Sequence, residues 1–259
     1  MERSFILNTL EVVLEPATPA SALRAIERHE ALSRLSPASR ARLASEVTWI
    51  RARRGEALWR VGEPSSRLLL VVRGLVALHV SAPRGKELIV GLCAPVEGLD
   101  ESTVLSGEAH GCAAFALGGG ALVASVPRAA ALEALRASGD ASLALAGIIA
   151  RRHREADRRL GAATLSVEQR IAQLLIELTE RFGDELDGGA RIIPLRLTRG
   201  HVGALVGTTA ETAIRALSRW SREGVLSTGE GGIVIHDFAA IEREAGATPE
   251  GEGAWGVTA

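Results

Sequence analysis

Between residues 48 and 127 the chain breaks into short apolar runs separated by glycine, while on both sides the apolar spacing is helical. That change of period constrains the fold more than any other feature, because a strand repeats every two residues and a helix every 3.6. The runs are Ala57–Val61, Leu68–Val72, Leu75–Val80, Glu87–Cys93, Ala113–Leu117 and Leu122–Val126. Gly55, Gly62, Gly74, Gly85, Gly91 and Gly118–Gly120 lie between or beside them. Short strands with turn signals at this spacing predict a small sandwich or barrel. Two helices are predicted before it, Ala22–Leu32 and Pro37–Ala44. After it come a short and a long helix parted at Gly139-Asp140, then Val167–Phe182, Arg199–Val206 and Ala210–Arg222. Thr228 to Gly232, between Val225–Leu226 and Ile233–Ile235, reads as a hairpin.

Composition excludes several classes. At 259 residues, 47% hydrophobic and 24% charged, the chain can bury two modest cores and is not disordered by default. It holds two cysteines, Cys93 and Cys112, in no CxxC pair, which argues against a zinc or iron–sulfur site built from this chain. No apolar run is long enough to span a bilayer, and the N-terminus lacks the order of a signal peptide. The expected location is therefore cytoplasmic, with no membrane partner. No G-x-S-x-G elbow, P-loop or H-E-x-x-H motif occurs, so nothing points to an enzyme.

The net charge of −1 hides a local excess. Between 191 and 222 there are six arginines (Arg191, Arg196, Arg199, Arg215, Arg219 and Arg222) against Glu211 alone. Thr198 is placed to cap a short helix with apolar Val202, Leu205 and Val206, and Gly207 permits a sharp turn. Thr208-Thr209-Ala210-Glu211 then fits a capping box. In the next helix Ala213, Leu217 and Trp220 share one side, while Glu211, Arg215, Ser218 and Arg222 share the other, bordered by Ile214. Two short helices, a tight turn and an arginine-bearing stripe are the layout of a helix-turn-helix. Arginine can pair with guanine, a carboxylate can accept from cytosine, and Ile214 can touch a thymine methyl. The alternatives are an ordinary amphipathic helix, a Glu211 that only caps, or a small-ligand sensor whose helix-turn-helix is a protein-interaction module.

From about residue 29 to 240 the chain resembles the CRP/FNR family of transcription regulators. The likeness rests on Leu197-Thr198-Arg199-Gly200-His201-Val202-Gly203, then Gly207-Thr208-Thr209-Ala210-Glu211-Thr212, then Arg215-Ala216-Leu217, against the family's TRxxIG…GxxxET…R pattern. Ser166 to Ala172 looks like the helix that follows its hinge. Gly55-Glu56-Ala57-Leu58, Gly62-Glu63-Pro64 and Val71-Val72-Arg73-Gly74 look like the opening of its cyclic-nucleotide-binding β-roll.

The resemblance implies an α+β fold: an N-terminal β-roll of jelly-roll type, a long dimerisation helix and a C-terminal winged helix-turn-helix. The boundaries expected are an N-terminal extension over 1–28, the β-roll over 29–127, the dimerisation helix and hinge over 128–162, the DNA-binding domain over 163–240, and a flexible tail over 241–259. It also implies a homodimer on an inverted-repeat operator, with the helix at 209–222 in the major groove of double-stranded DNA. RNA polymerase is a further partner if the protein activates. The expected DNA contacts are Thr198, Arg199, Thr208, Thr209, Glu211, Thr212, Ile214, Arg215 and Ser218. Leu145, Ile149, Arg152, Ala156 and Leu160 recur at helical spacing and are the expected seam of the paired long helices, the alternative being a helix packed on its own domain.

The likeness has gaps. Ala210 stands where cAMP-receptor members place a second arginine and FNR-like members an apolar residue, so the helix looks more FNR-like, and Ile214 replaces a small residue. Nucleotide-binding members hold the cyclic phosphate with a Gly-Glu pair and an Arg-Ser or Arg-Thr pair about ten residues on. Glu101 can match the glutamate, but no arginine occurs between Arg84 and Arg128. A phosphate cradle without its cation is a poor one, so cyclic AMP is not the expected effector. The FNR cysteine cluster is also missing, so an iron–sulfur cluster is not expected. Haem-sensing relatives use an axial His or Cys near the roll, and haem has only that slender support here. The effector stays open, with Glu101, His110 and Cys112 as its candidate pocket residues.

Overall fold

The apolar run from Leu68 to Leu78 lies within one 16-residue strand, not two short ones. The computed structural model describes residues 17–82 and 86–246. These divide into two compact units that meet at Gly161/Ala162.

The N-terminal unit begins with α1 (Pro19–Arg28), a 3-10 turn at Leu32–Arg34, and α2 (Pro37–Ser45). Strands β1 (Thr48–Ala52), β2 (Ala57–Trp59), β3 (Arg67–Ala82), β4 (Lys86–Cys93) and β5 (Gly98–Leu99) follow. Next come α3 (Glu101–Ser106), β6 (Ala113–Pro127), α4 (Arg128–Arg136) and the 23-residue α5 (Gly139–Gly161). The sheet is antiparallel with order β1-β6-β3-β4, β2 pairing with β6 and β5 with β3.

Strand β3 alternates between two cores. Leu68 and Leu70 join Ile26, Leu43, Val126, Leu135 and Leu145 in a layer between sheet and helices. Leu69 and Val71 join Trp59, Val76, Leu99 and Val123 inside the roll. Burial on both faces removes the polar alternation of a half-exposed strand, which explains the continuous apolar run. The glycine at position 74 reads as a turn but sits at a register shift within the β3–β6 ladder. Its φ is +85°, and a Cβ there would stand 2.0 Å from the Gly120 carbonyl oxygen. Only glycine allows the two backbones to come so close. In the same way, the two runs expected at 113–117 and 122–126 form the single strand β6.

Two expectations at the ends need correction. The extension expected over 1–28 includes α1, whose Ala22 and Ile26 are buried in the helical core, because its apolar positions recur at helical spacing and Thr18 caps it. Residues 1–16 lie outside the described residues. The tail expected from 241 starts too early, since Ile241 is fully buried in a helix that runs to Glu244. The remainder, 247–259, lies outside the described residues.

The C-terminal unit holds α6 (Val167–Phe182), β7 (Asp184–Glu185), β8 (Arg191–Ile193), α7 (Arg199–Leu205), α8 (Ala210–Arg222), β9 (Leu226–Gly229), β10 (Gly232–Ile235) and α9 (Phe238–Glu244). Its antiparallel sheet runs β7-β8-β10-β9. Ile171, Leu175, Leu178, Ile193, Leu195 and Ile235 form its most buried centre.

Two residues other than glycine have positive φ among those described, Val96 at +73° and Asp100 at +51°. A β-branched residue is strained there, by roughly 1–2 kcal/mol. The turn is kept because the Val96 amide donates to the Val71 carbonyl at 2.9 Å and Glu97 accepts from the Ala94 amide at 2.8 Å. Val96→Gly is therefore expected to stabilise the protein by about 1 kcal/mol, read as a higher urea midpoint. An unchanged or lower midpoint would mean that the turn carries no strain.

Candidate nucleic-acid interface and the buried cluster of the roll

Helices α7 and α8 are set by their caps and their shared turn. Thr198 caps α7, accepting from the His201 amide at 3.1 Å while the His201 ring accepts from the Thr198 amide at 3.2 Å. The α7 helix ends at Val206, whose carbonyl accepts from Arg170 Nη1 of α6 at 2.7 Å, so a terminal acceptor that α7 itself leaves open is satisfied. Gly207 then takes φ +70° and turns the chain. Thr209 caps α8, accepting from the Thr212 amide at 3.2 Å.

That cap corrects one expectation. The third residue of α8 is Thr212, not Glu211, so the box expected between Thr208-Thr209 and Glu211 does not form. Among the described residues no hydrogen bond or ion pair engages the Glu211 carboxylate, which is exposed. The reading in which Glu211 serves only as a cap loses its basis.

Ala213, Ala216, Leu217 and Trp220 of α8 are buried, at roughly 1.5–3 kcal/mol for each large apolar side chain. Their burial turns Glu211, Ile214 and Arg215 outward as exposed side chains, with Ser218 half-buried on the same side. Arg215 Nη2 donates to Thr212 Oγ1 at 3.3 Å, and Thr212 Oγ1 lies 3.0 Å from Thr209 Oγ1. Thr198 and Arg199 are exposed at the start of α7, where Arg199 Nη2 reaches Thr228 Oγ1 of β9 at 3.5 Å. Thr208 is half-buried in the turn, and Thr209 is exposed. Thus the nine residues expected to meet DNA all lie on α7, α8 and the turn between them.

In the N-terminal unit the three candidate pocket residues gather around Asp100. Glu101 is 1% exposed. Arg152 of α5 reaches it, with Nη1 3.0 Å from Oε2 and Nη2 3.3 Å from Oε1, and also donates to the Gly98 carbonyl at 2.7 Å. His29, just past α1, brings Nε2 within 4.0 Å of Glu101 Oε1. Burial pushes the Glu101 carboxyl up, but His29, Arg152 and the backbone outweigh it and hold it below the ordinary value. His110 Nδ1 lies 2.8 Å from Asp100 Oδ2, and its ring stacks on Trp59 at 4.3 Å. The Cys112 carbonyl accepts from Trp59 Nε1 at 2.8 Å. Burial, reinforced by Asp100 and opposed by Arg152, pushes the Cys112 thiol up to about 11, so it is a neutral thiol near pH 7 and a weak nucleophile.

Arg152, His29 and Asp100 were not among the candidates. Arg152 supplies from a distant helix the cation that the loop lacks. Its signal was present: a charged residue seven positions after buried Leu145 falls on the same helical face, and a cation there needs a buried partner.

Helix α5 has two faces. Leu145, Ile148, Arg152 and Arg159 face their own unit, Arg159 Nη1 donating to the Val90 carbonyl at 2.6 Å. At ~100° per residue, Leu143, Ala146, Ala150, His153, Asp157 and Leu160 fall nearly opposite, at spacings of three and four, and all are exposed. Leu143 and Leu160 are 74% and 76% exposed. Of the seam expected at Leu145, Ile149, Arg152, Ala156 and Leu160, Leu145 and Arg152 are engaged within their own unit, Ile149 is half-buried, and Ala156 and Leu160 are exposed. Among the described residues no helix is long and apolar enough to cross a membrane.

Comparison with known proteins matches both units. Residues 49–138 match the cyclic nucleotide-binding domain and residues 169–244 the Crp-like helix-turn-helix domain. A CRP-like cAMP-activated global transcriptional regulator of Mycobacterium tuberculosis is 26% identical over 212 residues, 82% of this chain and 94% of that one. The cyclic AMP receptor protein of Thermus thermophilus is 29% identical over 190 residues, 73% of this chain and 83% of the other. The solved structure of FixK2 from Bradyrhizobium japonicum superposes with a TM-score of 0.66 at 24% identity, covering 76% of this chain and 96% of that one. The chain belongs to the CRP/FNR family and is a non-enzymatic, DNA-binding transcription regulator of that type.

The buried pair makes a testable claim. Arg152→Ala leaves the Glu101 carboxylate without its cation and is expected to cost about 3 kcal/mol, the low end for a broken buried pair because Arg152 is 31% exposed. Since the Glu101 carboxyl is held low in the folded state, its contribution is present above the ordinary carboxylate range and fades as pH falls through its folded value. Urea titrations from pH 7 down to pH 3 should show this slope in the native protein and a shallower one in Glu101→Gln. Equal slopes would remove Glu101 as the cause.

Proposed function

We propose that the protein acts as a homodimer on an inverted-repeat operator, with α8 of each protomer in the major groove. The observation that carries this reading is the outward face of α8, where Glu211 and Arg215 are exposed beside a buried apolar face. Arg215 takes the guanine-reading role and Glu211 accepts from a cytosine amine. Ile214 and Ser218 complete the base-facing side. Thr198, Arg199, Thr208, Thr209 and Thr212 position the helix on the phosphates. If the protein activates, RNA polymerase is its further partner.

In this reading the residues up to 127 form the sensor, 128–162 the dimerisation helix and hinge, and the remainder the DNA-binding domain. The second copy packs on the outer face of α5. Leu143 and Leu160 are large apolar groups too exposed to contribute within one chain, and their spacing with Ala146 and Ala150 suits a paired helix. The roll carries a signal by some means other than a cyclic-phosphate cradle, because the cation beside Glu101 is already committed to it.

An operator obtained by selection from a random-sequence pool tests the reading. Arg215→Ala should lose about 1–3 kcal/mol of discrimination per half-site at one base pair. Arg199→Ala should weaken all sequences alike and flatten the salt dependence by roughly one phosphate. A gel shift in which Arg215→Ala binds and discriminates as the native protein does would overturn the assignment. For the dimer, Leu143→Asp combined with Leu160→Asp should sediment as a monomer and bind a single half-site no worse than before. Sedimentation as a dimer would place the interface elsewhere.

A further inference from the structure

Helix α7 is closed at its C-terminal end by two hydrogen bonds of different origin. One is local: the Thr208 amide donates to the Gly203 carbonyl at 2.8 Å across Gly207, whose φ is +70°, which is a common glycine stop of a helix. The other comes from outside the helix-turn-helix, where Arg170 Nη1 of α6 donates to the Val206 carbonyl at 2.7 Å. The local bond shapes the turn but does not fix how the turn stands against α6.

Helices α7 and α8 form one body. A Cβ at Gly203 would lie 3.0 Å from the Thr209 carbonyl oxygen and 3.2 Å from the Ala210 amide nitrogen, so a glycine lets the two helices meet this closely. Helix α6 gives its buried Ile171, Ala172 and Leu175 to the core of the unit. Packed apolar helices slide past one another in small steps, whereas a hydrogen bond fixes both distance and direction.

Capping alone does not account for an arginine at this place. Arg170 is half-buried, its Nε is buried without a partner, and among the described residues no carboxylate pairs with it. Removing a guanidinium from water without a counter-charge is costly. What its length provides is a span from the fourth residue of α6, the first α-helix of the C-terminal unit, to the turn that carries α8.

We propose that Arg170 is a positioning residue for base reading, which holds the α7–α8 body against the start of α6 so that Glu211 and Arg215 reach their bases together. This rests on the DNA-binding reading above. Base contacts need side chains placed to within about 0.5 Å, while phosphate contacts carry no sequence information. Loss of the tie therefore lowers discrimination between sequences more than it lowers affinity for DNA in general.

The experiment uses the full-length protein and compares the selected operator with a scrambled duplex of equal length, at one salt concentration and well below the unfolding temperature. Arg170→Met keeps most of the stem and removes the donors. It is expected to lower the operator-to-scrambled affinity ratio about tenfold, the scale of one bidentate base contact. Arg170→Lys keeps the charge and one donor and should recover part of that ratio. Leu174→Ala, buried in the same helix and offering packing alone, should lower the urea midpoint and leave the ratio as it is. A native ratio in Arg170→Met would make Arg170 a cap and nothing more. Equal losses on both duplexes would make it a source of charge, and an equal fall of the ratio in Leu174→Ala would make the effect one of stability. Each of these overturns the proposal while DNA binding stands. Should Arg170→Met not fold, Arg170→Gln, whose side chain is shorter and neutral, carries the same comparison. If selection enriches no sequence, the DNA-binding reading fails and this proposal fails with it.

Discussion

The burial of strand β3 on both faces organises the N-terminal unit. One side chain in two goes to the helical layer and the next to the inside of the roll, so the strand cannot slip by one residue without exchanging the two cores. The close approach at Gly74 lets the paired backbones follow the roll, and the strand ends are then held where β5 and α3 begin. Glu101 owes its position to this arrangement. It sits at the start of α3 directly after β5, and a carboxylate there has no access to water and must be met by cations.

The C-terminal unit solves a simpler problem. Helix α8 has an apolar face that must be covered and a cap that must be satisfied, and both requirements are local. This is why its bounds, Ala210–Arg222, and those of α6, Val167–Phe182, could be read directly from spacing and start signals. The cap partner was not legible to the same degree. Thr212 and Glu211 are adjacent and both chemically able to complete a box, and the register differs by one residue.

Long-range features were less visible for definite reasons. Glycine at 74 has the signature of a turn, yet its role is to admit a neighbouring backbone, which depends on Gly120 far along the chain. Val96 and Asp100 adopt a backbone region that usually announces itself by glycine, so nothing in their identity marks it. Arg152 is 51 residues from the carboxylate it meets, and no local pattern links the two. The cation that meets Glu101 comes from the long helix and not from the loop. What matters is less whether a phosphate has its arginine than what would compete for one already in use.

Helix α5 is a wall of its own unit on one side and carries the exposed Leu143 and Leu160 on the other. Both jobs are written into the same 23 residues and interleave with the helical repeat. No cut within the helix separates them: a junction placed at its middle would combine one parent's Leu145 and Leu143 with another's Arg152 and Leu160. An exchange of the N-terminal unit that keeps both faces of the helix intact therefore carries the whole helix with it, and the splice lies after Gly161.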